Sequence, residues 1–170
     1  MKRLICSVII AACAALAFSS CETLDPDKDF SGTIYGFWVV DKLEVETETT
    51  VNGTTNSHIT TTDFSNVYGR LLLDTSNLAQ VWCNLFHTDI ETFSYDQSTG
   101  QIFFKEALDA HDDGKAIVFL GKYDVILNGD TMILRQPEAA LAIGDLFGAK
   151  ERSTYTLHRA PKSEKAPETE

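Results

Sequence analysis

The chain is poor in cysteine, in proline and in positive charge, and each shortage excludes a class of protein. Its 170 residues include only 4 cysteines and 4 prolines, and 14 lysines and arginines stand against 25 aspartates and glutamates. Three cysteines lie within the first 21 residues, so Cys83 has no partner for a disulfide inside a folded domain. The acidic balance excludes nucleic acid as an expected partner, because its recognition needs a basic surface.

A hydrophobic run long enough to span a membrane is also missing. The longest apolar stretch, Leu4 to Phe18, is too short and too rich in alanine and cysteine for a comfortable transmembrane helix. Lys2 and Arg3 precede it, and Ser19-Ser20-Cys21 follows it, which is the pattern of a bacterial lipoprotein signal. We therefore predict a signal peptide over residues 1–20 and lipidation of Cys21, with two or three acyl chains as a membrane anchor.

Two other interpretations of this segment remain. Ile10-Ala11-Ala12-Cys13 matches the lipoprotein motif better, but processing there would leave a very short apolar segment and a greasy N-terminus. An ordinary secretory signal that ends near a cysteine is the second alternative. In every case the chain leaves the cytoplasm.

Composition divides the remaining chain into three parts. Residues 21–32 form an acidic, proline-containing tether, and residues 33–159 contain the alternating apolar runs of a single domain. Residues 160–170 are charged, contain proline and lack periodicity, which predicts a disordered tail.

The domain is predicted to be all-β, because short runs of alternating apolar residues are separated by turn residues. The clearest run is Ala116 to Leu127, where the odd positions are apolar and Lys122 and Asp124 are even. Asn128-Gly129 then predicts a two-residue hairpin turn, after which Thr131 to Arg135 returns. Such a series predicts an antiparallel barrel or sandwich.

Two segments depart from this pattern. Glu46 to Asp63 is rich in threonine, with Asn52-Gly53 at its centre, and is either a long solvated hairpin or a mobile loop. Pro137 to Phe147 is predicted to be a short helix before the last strand, because Pro137 suits the first helical position and an apolar stripe follows it.

Four motifs follow one another in a recognisable order along the domain. The domain opens on Gly36-Phe37-Trp38, and Tyr95-Asp96 with Gly100-Gln101-Ile102 forms a later hairpin. The run from Tyr123 to Leu134 follows, and the last strand, Tyr155 to Arg159, ends in arginine. Over roughly residues 33–159 this order resembles the small lipocalin-like lipoproteins of the Bacteroidota. The resemblance implies an antiparallel eight-stranded barrel, although the classical disulfide is missing and the predicted helix precedes the final strand.

The resemblance also implies where the barrel closes and where it could bind. Trp38 and Arg159 match a floor in which a cation lies over an indole face, the alternative being a core tryptophan and an unrelated surface arginine. An eight-stranded barrel is either filled by side chains or holds one small ligand. The candidate interior residues are large and apolar: Leu71, Phe93, Phe119, Tyr123, Val125 and Leu157.

Motifs for catalysis or metal binding are weak. Asp109 to Gly114 resembles the first half of a calcium loop, but Leu120 stands where the closing glutamate belongs, so a hairpin turn is the better interpretation. The four histidines lack zinc spacing, and Cys83 lies in an apolar run where a buried, inert thiol is expected. We expect no catalytic residues, no metal and no cofactor.

Two functions follow as expectations. The first is an outer-membrane lipoprotein of the cell envelope, periplasmic or surface-exposed, that binds a small hydrophobic molecule without catalysis. The second is an accessory subunit whose barrel is filled and whose outer face docks another envelope protein. Outward-facing Trp82 and Phe86 motivate the second hypothesis, because exposed aromatic residues mark contacts.

Overall fold

The computed structural model describes residues 30–84, 87–112, 114–137, 140–141 and 149–161. The predicted signal peptide, Cys21, most of the tether and most of the tail lie outside these residues. All regular elements among them are β-strands, and every neighbouring pair is antiparallel. The strands are β1 Gly36–Val51, β2 Thr54–Asp63, β3 Arg70–Leu73, β4 Leu78–Asn84, β5 His87–Asp96, β6 Gln101–Asp112, β7 Lys115–Asn128, β8 Thr131–Arg135, β9 Ala140–Leu141 and β10 Lys150–Arg159.

Eight of the ten strands close into a ring. The order is β1, β3, β4, β5, β6, β7, β8 and β10, and β10 pairs back onto β1. β2 lies beside the second half of β1, and β9 lies beside the start of β10, so neither belongs to the ring. The prediction of an all-β antiparallel domain built on eight strands is confirmed at this level.

Alternation along the strands separates an apolar interior from the outer surface. In β7, Ile117, Phe119 and Tyr123 are buried, whereas Val118 and Leu120 between them are exposed. Successive side chains of a strand point to opposite faces, so one face of each strand fills the ring. The period of two recognised in the sequence is therefore the pattern that builds the core.

The two Asn-Gly pairs behave differently. Asn52-Gly53 is the turn between β1 and β2, and both residues have positive φ, 51° and 78°, as the tightest hairpin turn requires. Between β7 and β8, Asn128 pairs with Thr131, so the turn is Gly129-Asp130 and the prediction of Asn128-Gly129 is wrong by one residue. Gly129, with φ of 60°, supplies the positive angle at the first turn position.

The threonine-rich segment is a paired hairpin, the first of the two alternatives. β2 pairs with β1 from Lys42 to Val51, and β3 continues along the same edge from Gly36 to Val39. The chain between β2 and β3 leaves the sheet at Phe64, whose side chain is buried in the core. β2 and β3 thus act as one interrupted neighbour of the long strand β1.

The helix predicted over Pro137 to Phe147 is wrong where the structure describes it. Ala140 and Leu141 form β9 and pair with Glu151 and Lys150 of β10. Residues 138–139 and 142–148 lie outside the described residues. Alanine and leucine suit a helix in isolation, but here the free edge of β10 offers strand pairing to them.

Candidate functional site

One end of the ring is closed by Trp38 and Arg159, which face each other across β1 and β10. The Arg159 Cζ atom lies 3.9 Å from the centre of the Trp38 ring, and Trp38 is fully buried. The Trp38 indole N–H donates a hydrogen bond of 2.8 Å to the Ile34 carbonyl. The cation–indole contact that the resemblance implied is present.

Arg159 also fastens the chain where it enters the ring. Its guanidinium donates to the backbone carbonyls of Phe30, Thr33 and Tyr35. Gly36 has φ of 107°, and a Cβ atom there would lie 2.8 Å from Arg159 Nη1. Glycine is needed at this position both for its backbone angle and for the space that the guanidinium occupies. The predicted tether therefore reaches the domain at its closed end.

The interior of the ring holds a connected cluster of aromatic rings. Phe104 contacts Phe93, Phe119 and Tyr123, with ring centroids 6.2, 5.5 and 6.1 Å apart. Phe119 also contacts Tyr155 at 4.5 Å. These rings fill the interior at this level. Of the six predicted interior residues, five are buried and Val125 is partly buried against the core; the buried ones are Leu71, Phe93, Phe119, Tyr123 and Leu157.

The ring is open on one side beyond the end of β8. β8 flanks β7 only from Asp124 to Asn128, so the first part of β7 has a strand neighbour on the β6 side alone among the described residues. A cleft of about 890 Å³ lies at this opening. Its lining is Leu43, Gln101, Ala116, Val118, Leu120, Gly121, Lys122, Tyr123, Gln136, Pro137, Glu151, Ser153 and Tyr155.

Side chains replace the missing strand at the back of this cleft. The Tyr155 hydroxyl donates to the Val118 carbonyl at 2.8 Å and accepts from the Val118 N–H at 3.0 Å. Gln136 bridges the two strands, because its Oε1 accepts from the Ser153 N–H at 2.9 Å and its Nε2 reaches the Leu120 carbonyl at 3.5 Å. Buried backbone groups need hydrogen-bond partners, and these side chains supply them to Val118 and Leu120, on the side of β7 that lacks a described neighbouring strand.

Burial keeps the interior hydroxyls and the thiol neutral. It raises the pKa of Tyr123 to about 12 and raises the pKa of Tyr155 further, with a smaller contribution from Tyr123 beside it. Burial, and next the charge of Asp112, raises the pKa of Cys83 to about 11. The buried thiol matches the expectation of inert packing, because only the thiolate is nucleophilic.

The docking surface predicted at Trp82 and Phe86 is not supported at Trp82. Trp82 is fully buried, and its ring lies 6.2 Å from that of Phe37 in an edge-to-face arrangement. The alternation of β4 places Trp82 opposite the core face, but a neighbouring outer side chain covers it. The expectation that Trp82 is exposed is wrong, and Phe86 lies outside the described residues.

Polar side chains elsewhere serve turns and strand ends. The segment resembling a calcium loop begins in a strand, because Asp109 to Asp112 form the end of β6 and pair with β7, and the hairpin turn follows Asp112. The His111 Nε2 atom lies 2.6 Å from Asp109 Oδ2 on the same strand, and the His158 Nδ1 atom lies 2.7 Å from Asp41 Oδ1. Within the described residues, no three histidine, cysteine or acidic side chains gather as a metal site.

The sequence patterns do not indicate three of the residues that line the cleft: Leu43, Gln136 and Tyr155. They indicate Tyr155 only as the start of the last strand, because its partner Val118 is 37 residues away. Pro137 was a usable signal, because proline cannot donate to a strand ladder and so marks where β8 stops pairing.

Comparison with known proteins finds no relative of this chain. No family model, no curated protein and no solved structure matches this chain. The described residues also contain no helical segment with the length and apolar character that crossing a bilayer requires. The resemblance to lipocalin-like lipoproteins stays a prediction.

Proposed function

We propose that this protein is a membrane-anchored, lipocalin-like lipoprotein of the cell envelope whose cleft binds one small, mainly apolar molecule without catalysis. The observation that carries the proposal is the cleft of about 890 Å³ at the open side of the ring. This volume lies within the range of about 300–1,000 Å³ typical of small-molecule sites.

The chemistry of the walls supports an apolar ligand with a few polar groups. Leu43, Val118 and Leu120 offer aliphatic surface, and Val118 and Leu120 are 37% and 41% exposed. Gln136 and Ser153 stand beside them and offer polar groups. An apolar wall with a small number of placed polar groups is the usual composition of a ligand site.

The filled interior moves the expected ligand away from the centre of the ring. The interior of an eight-stranded ring is either filled by side chains or holds one small ligand at its centre. Here Phe104 and its aromatic neighbours contact one another at the centre. The proposed ligand therefore occupies the lateral cleft, beside Tyr123 and Tyr155, rather than the axis.

The position of the tether gives the cleft an orientation. The chain enters at Phe30, which Arg159 binds at the closed end. Ser153, in the cleft wall, lies six positions before Arg159 on β10, which is about 20 Å along a strand. Lipidated Cys21 would hold the closed end toward the membrane, so the cleft would be reached from the aqueous side.

A fluorescence titration with N-phenyl-1-naphthylamine, an uncharged apolar probe, tests the proposal. The full chain is compared with Val118→Trp, which fills the cleft, and with Ile126→Trp as a matched control. Ile126 is an exposed β-branched residue on the outer face of the same strand and does not line the cleft. We expect saturable binding that Val118→Trp weakens by about tenfold or more and Ile126→Trp leaves unchanged. Equal binding by both variants, or no saturable uptake, overturns the proposal.

The filled interior also favours the second candidate, an accessory subunit of an envelope complex. A core as fully packed as that around Phe104 needs no cargo to be stable. An exposed Trp82 does not support this candidate, because Trp82 is buried. Cross-linking on intact cells that captures one discrete protein, together with absent probe uptake, would favour this candidate over ligand binding.

A further inference from the structure

Among the residues that the structure describes, β2 forms an open edge of the sheet. It is the terminal strand of the sheet, with β1 as its neighbour on one side. Its ten residues, Thr54–Asp63, are all exposed except Thr62, which is partly buried. An edge of this kind carries a row of N–H and C=O groups that can pair with another strand.

The features that normally protect such an edge are missing from β2. Natural edge strands are blocked by lysine, proline, bulges or inward charges. β2 contains neither lysine nor proline, and its ten residue pairs with β1 run without a register shift. Asp63, at the far end, is its one acidic residue, and His58 is its one histidine.

The tight turn determines which residues offer their backbone to a partner. Val51 and Thr54 flank the two-residue turn and bond to each other, so alternate residues of β2 direct their N–H and C=O groups away from β1. These are Thr55, Ser57, Ile59, Thr61 and Asp63. The carbonyl of Asp63 follows the rule, since it accepts a hydrogen bond of 2.6 Å from Lys115 outside the hairpin. The open stretch therefore ends at Asp63.

We propose that β2 pairs antiparallel with β2 of a second copy of this chain, with Ile59 opposite the partner subunit's Ile59. Residues directly opposite in an antiparallel pair lie on the same face, so the symmetric register must centre on one residue. Centring on Ile59 places Ser57 opposite the partner subunit's Thr61 and forms about six backbone hydrogen bonds. Ile59 is 59% exposed, and the register buries it against its own copy.

The neighbouring register is less favourable for a physical reason. Centring on His58 would place two imidazoles opposite each other and each Ile59 opposite the partner subunit's Ser57. Both registers use the backbone groups that β2 directs away from β1. The Ile59 register alone pairs the only large apolar side chain of this strand with its own copy.

The acidity of the chain does not prevent this contact. The net charge is −11, and the nearest acidic side chain across the sheet from Ile59 is Glu46 of β1. Glu46 and the partner subunit's Glu46 would be three strand spacings apart, which is about 14 Å. This separation exceeds the Debye length of about 8 Å at physiological ionic strength. The dimer is therefore expected to strengthen as salt is raised from low concentration.

Sedimentation equilibrium of the full chain in density-matched detergent tests the dimer. We expect a monomer–dimer equilibrium in the parent chain up to about 100 μM, the range in which weak interfaces become populated. Ile59→Lys places two ammonium groups opposite each other and should raise the dissociation constant about tenfold or more. Ile126→Lys, at an exposed isoleucine on the ring, should leave the constant unchanged. A parent chain that stays monomeric, or equal effects of both variants, overturns the proposal.

Oxidative cross-linking tests the register. In Ile59→Cys the two thiols would face each other at a Cα separation of about 5.5 Å, which permits a disulfide. In Thr60→Cys the two thiols would not be opposite each other. We expect a covalent dimer from Ile59→Cys above the level of the parent chain, and no such increase from Thr60→Cys. Equal cross-linking of both variants overturns the Ile59 register.

Discussion

The Tyr155 hydroxyl holds the open side of the ring together, and its removal should destabilise the fold measurably. It is the hydrogen-bond partner of both the N–H and the C=O of Val118, at 3.0 and 2.8 Å. Tyr155→Phe deletes this oxygen and keeps the ring that packs 4.5 Å from Phe119. The substitution therefore isolates the hydrogen bonds from the apolar packing.

The magnitude follows from the two backbone groups that lose their partner. A buried polar group left unsatisfied costs about 1–3 kcal/mol. The cleft borders Val118, so water can reach the vacated position and compensate in part. We expect Tyr155→Phe to lower the free energy of unfolding by about 2 kcal/mol, near the low end for two groups.

Urea unfolding followed by tryptophan fluorescence is the assay. With a slope of about 2 kcal/mol per molar urea, the midpoint should fall by about 1 M. Tyr95→Phe is the control, because Tyr95 is half-buried against the same core and its hydroxyl bonds to none of the described residues. A shift for Tyr155→Phe no larger than that for Tyr95→Phe would refute the reasoning. Unchanged exchange of the Val118 amide with deuterium would refute it independently.

Three further outcomes are expected. Gly36→Ala should cost about 3 kcal/mol in urea unfolding, because φ of 107° strains alanine and its Cβ would lie 2.8 Å from Arg159 Nη1; a loss under about 1 kcal/mol would contradict this. Because burial raises the pKa of Tyr123 to about 12, its contribution to the free energy of unfolding is complete below pH 10 and is lost as the pH rises toward 12. The loss should be about 3 kcal/mol for two pKa units, and Tyr123→Phe should reduce it when the free energy of unfolding is measured over a pH series. Phe104→Ala should cost about 3–5 kcal/mol and Phe103→Ala, on the exposed face of the same strand, under about 1 kcal/mol; equal losses would contradict the assigned interior.

The strands and most turns could be predicted because their signals are local. Asn52-Gly53 is such a signal, since only residues that tolerate positive φ suit both positions of that turn. The turn after β7 shows the limit of this reasoning. A turn at Asn128-Gly129 would place Met132 opposite Val125, and the observed turn places it opposite Leu127. Both arrangements keep Met132 on the inner face, so alternation alone cannot choose between them.

The predictions are wrong where contacts with a distant part of the chain determine the local structure. Trp82 belongs to the outer face by alternation, but Phe37 of β1 covers it, and no local pattern reports that contact. Ala140 and Leu141 suit a helix by composition, but the free edge of β10 pairs with them. Tertiary pairing overrides propensity in both cases.

The cleft could not be predicted because it depends on a difference between two strand lengths. β7 has 14 residues and its neighbour β8 has 5, so nine residues of β7 extend beyond the part that pairs with β8. Pro137 indicates where β8 stops, but the consequence depends on what lies across the gap. Tyr155 reaches it from β10 and Gln136 from the residue after β8, and this places the polar groups of the cleft.

Among the described residues, one side of the first part of β7 and the outer side of β2 both lack a neighbouring strand, but they differ in what occupies them. The edge of β7 lies against the core, where an unsatisfied backbone group is costly, and Tyr155 occupies it. The edge of β2 is exposed, so water satisfies it at little cost and no side chain is needed for stability. Stability therefore explains the occupied edge of β7, but it does not explain why β2 also lacks the charges that block pairing. Because β7 is closed to an added strand and β2 is open to one, a ligand in the cleft and a second copy on β2 would use separate surfaces. Substitutions at Val118 and Ile59 should then act independently, as distant sites without shared contacts do.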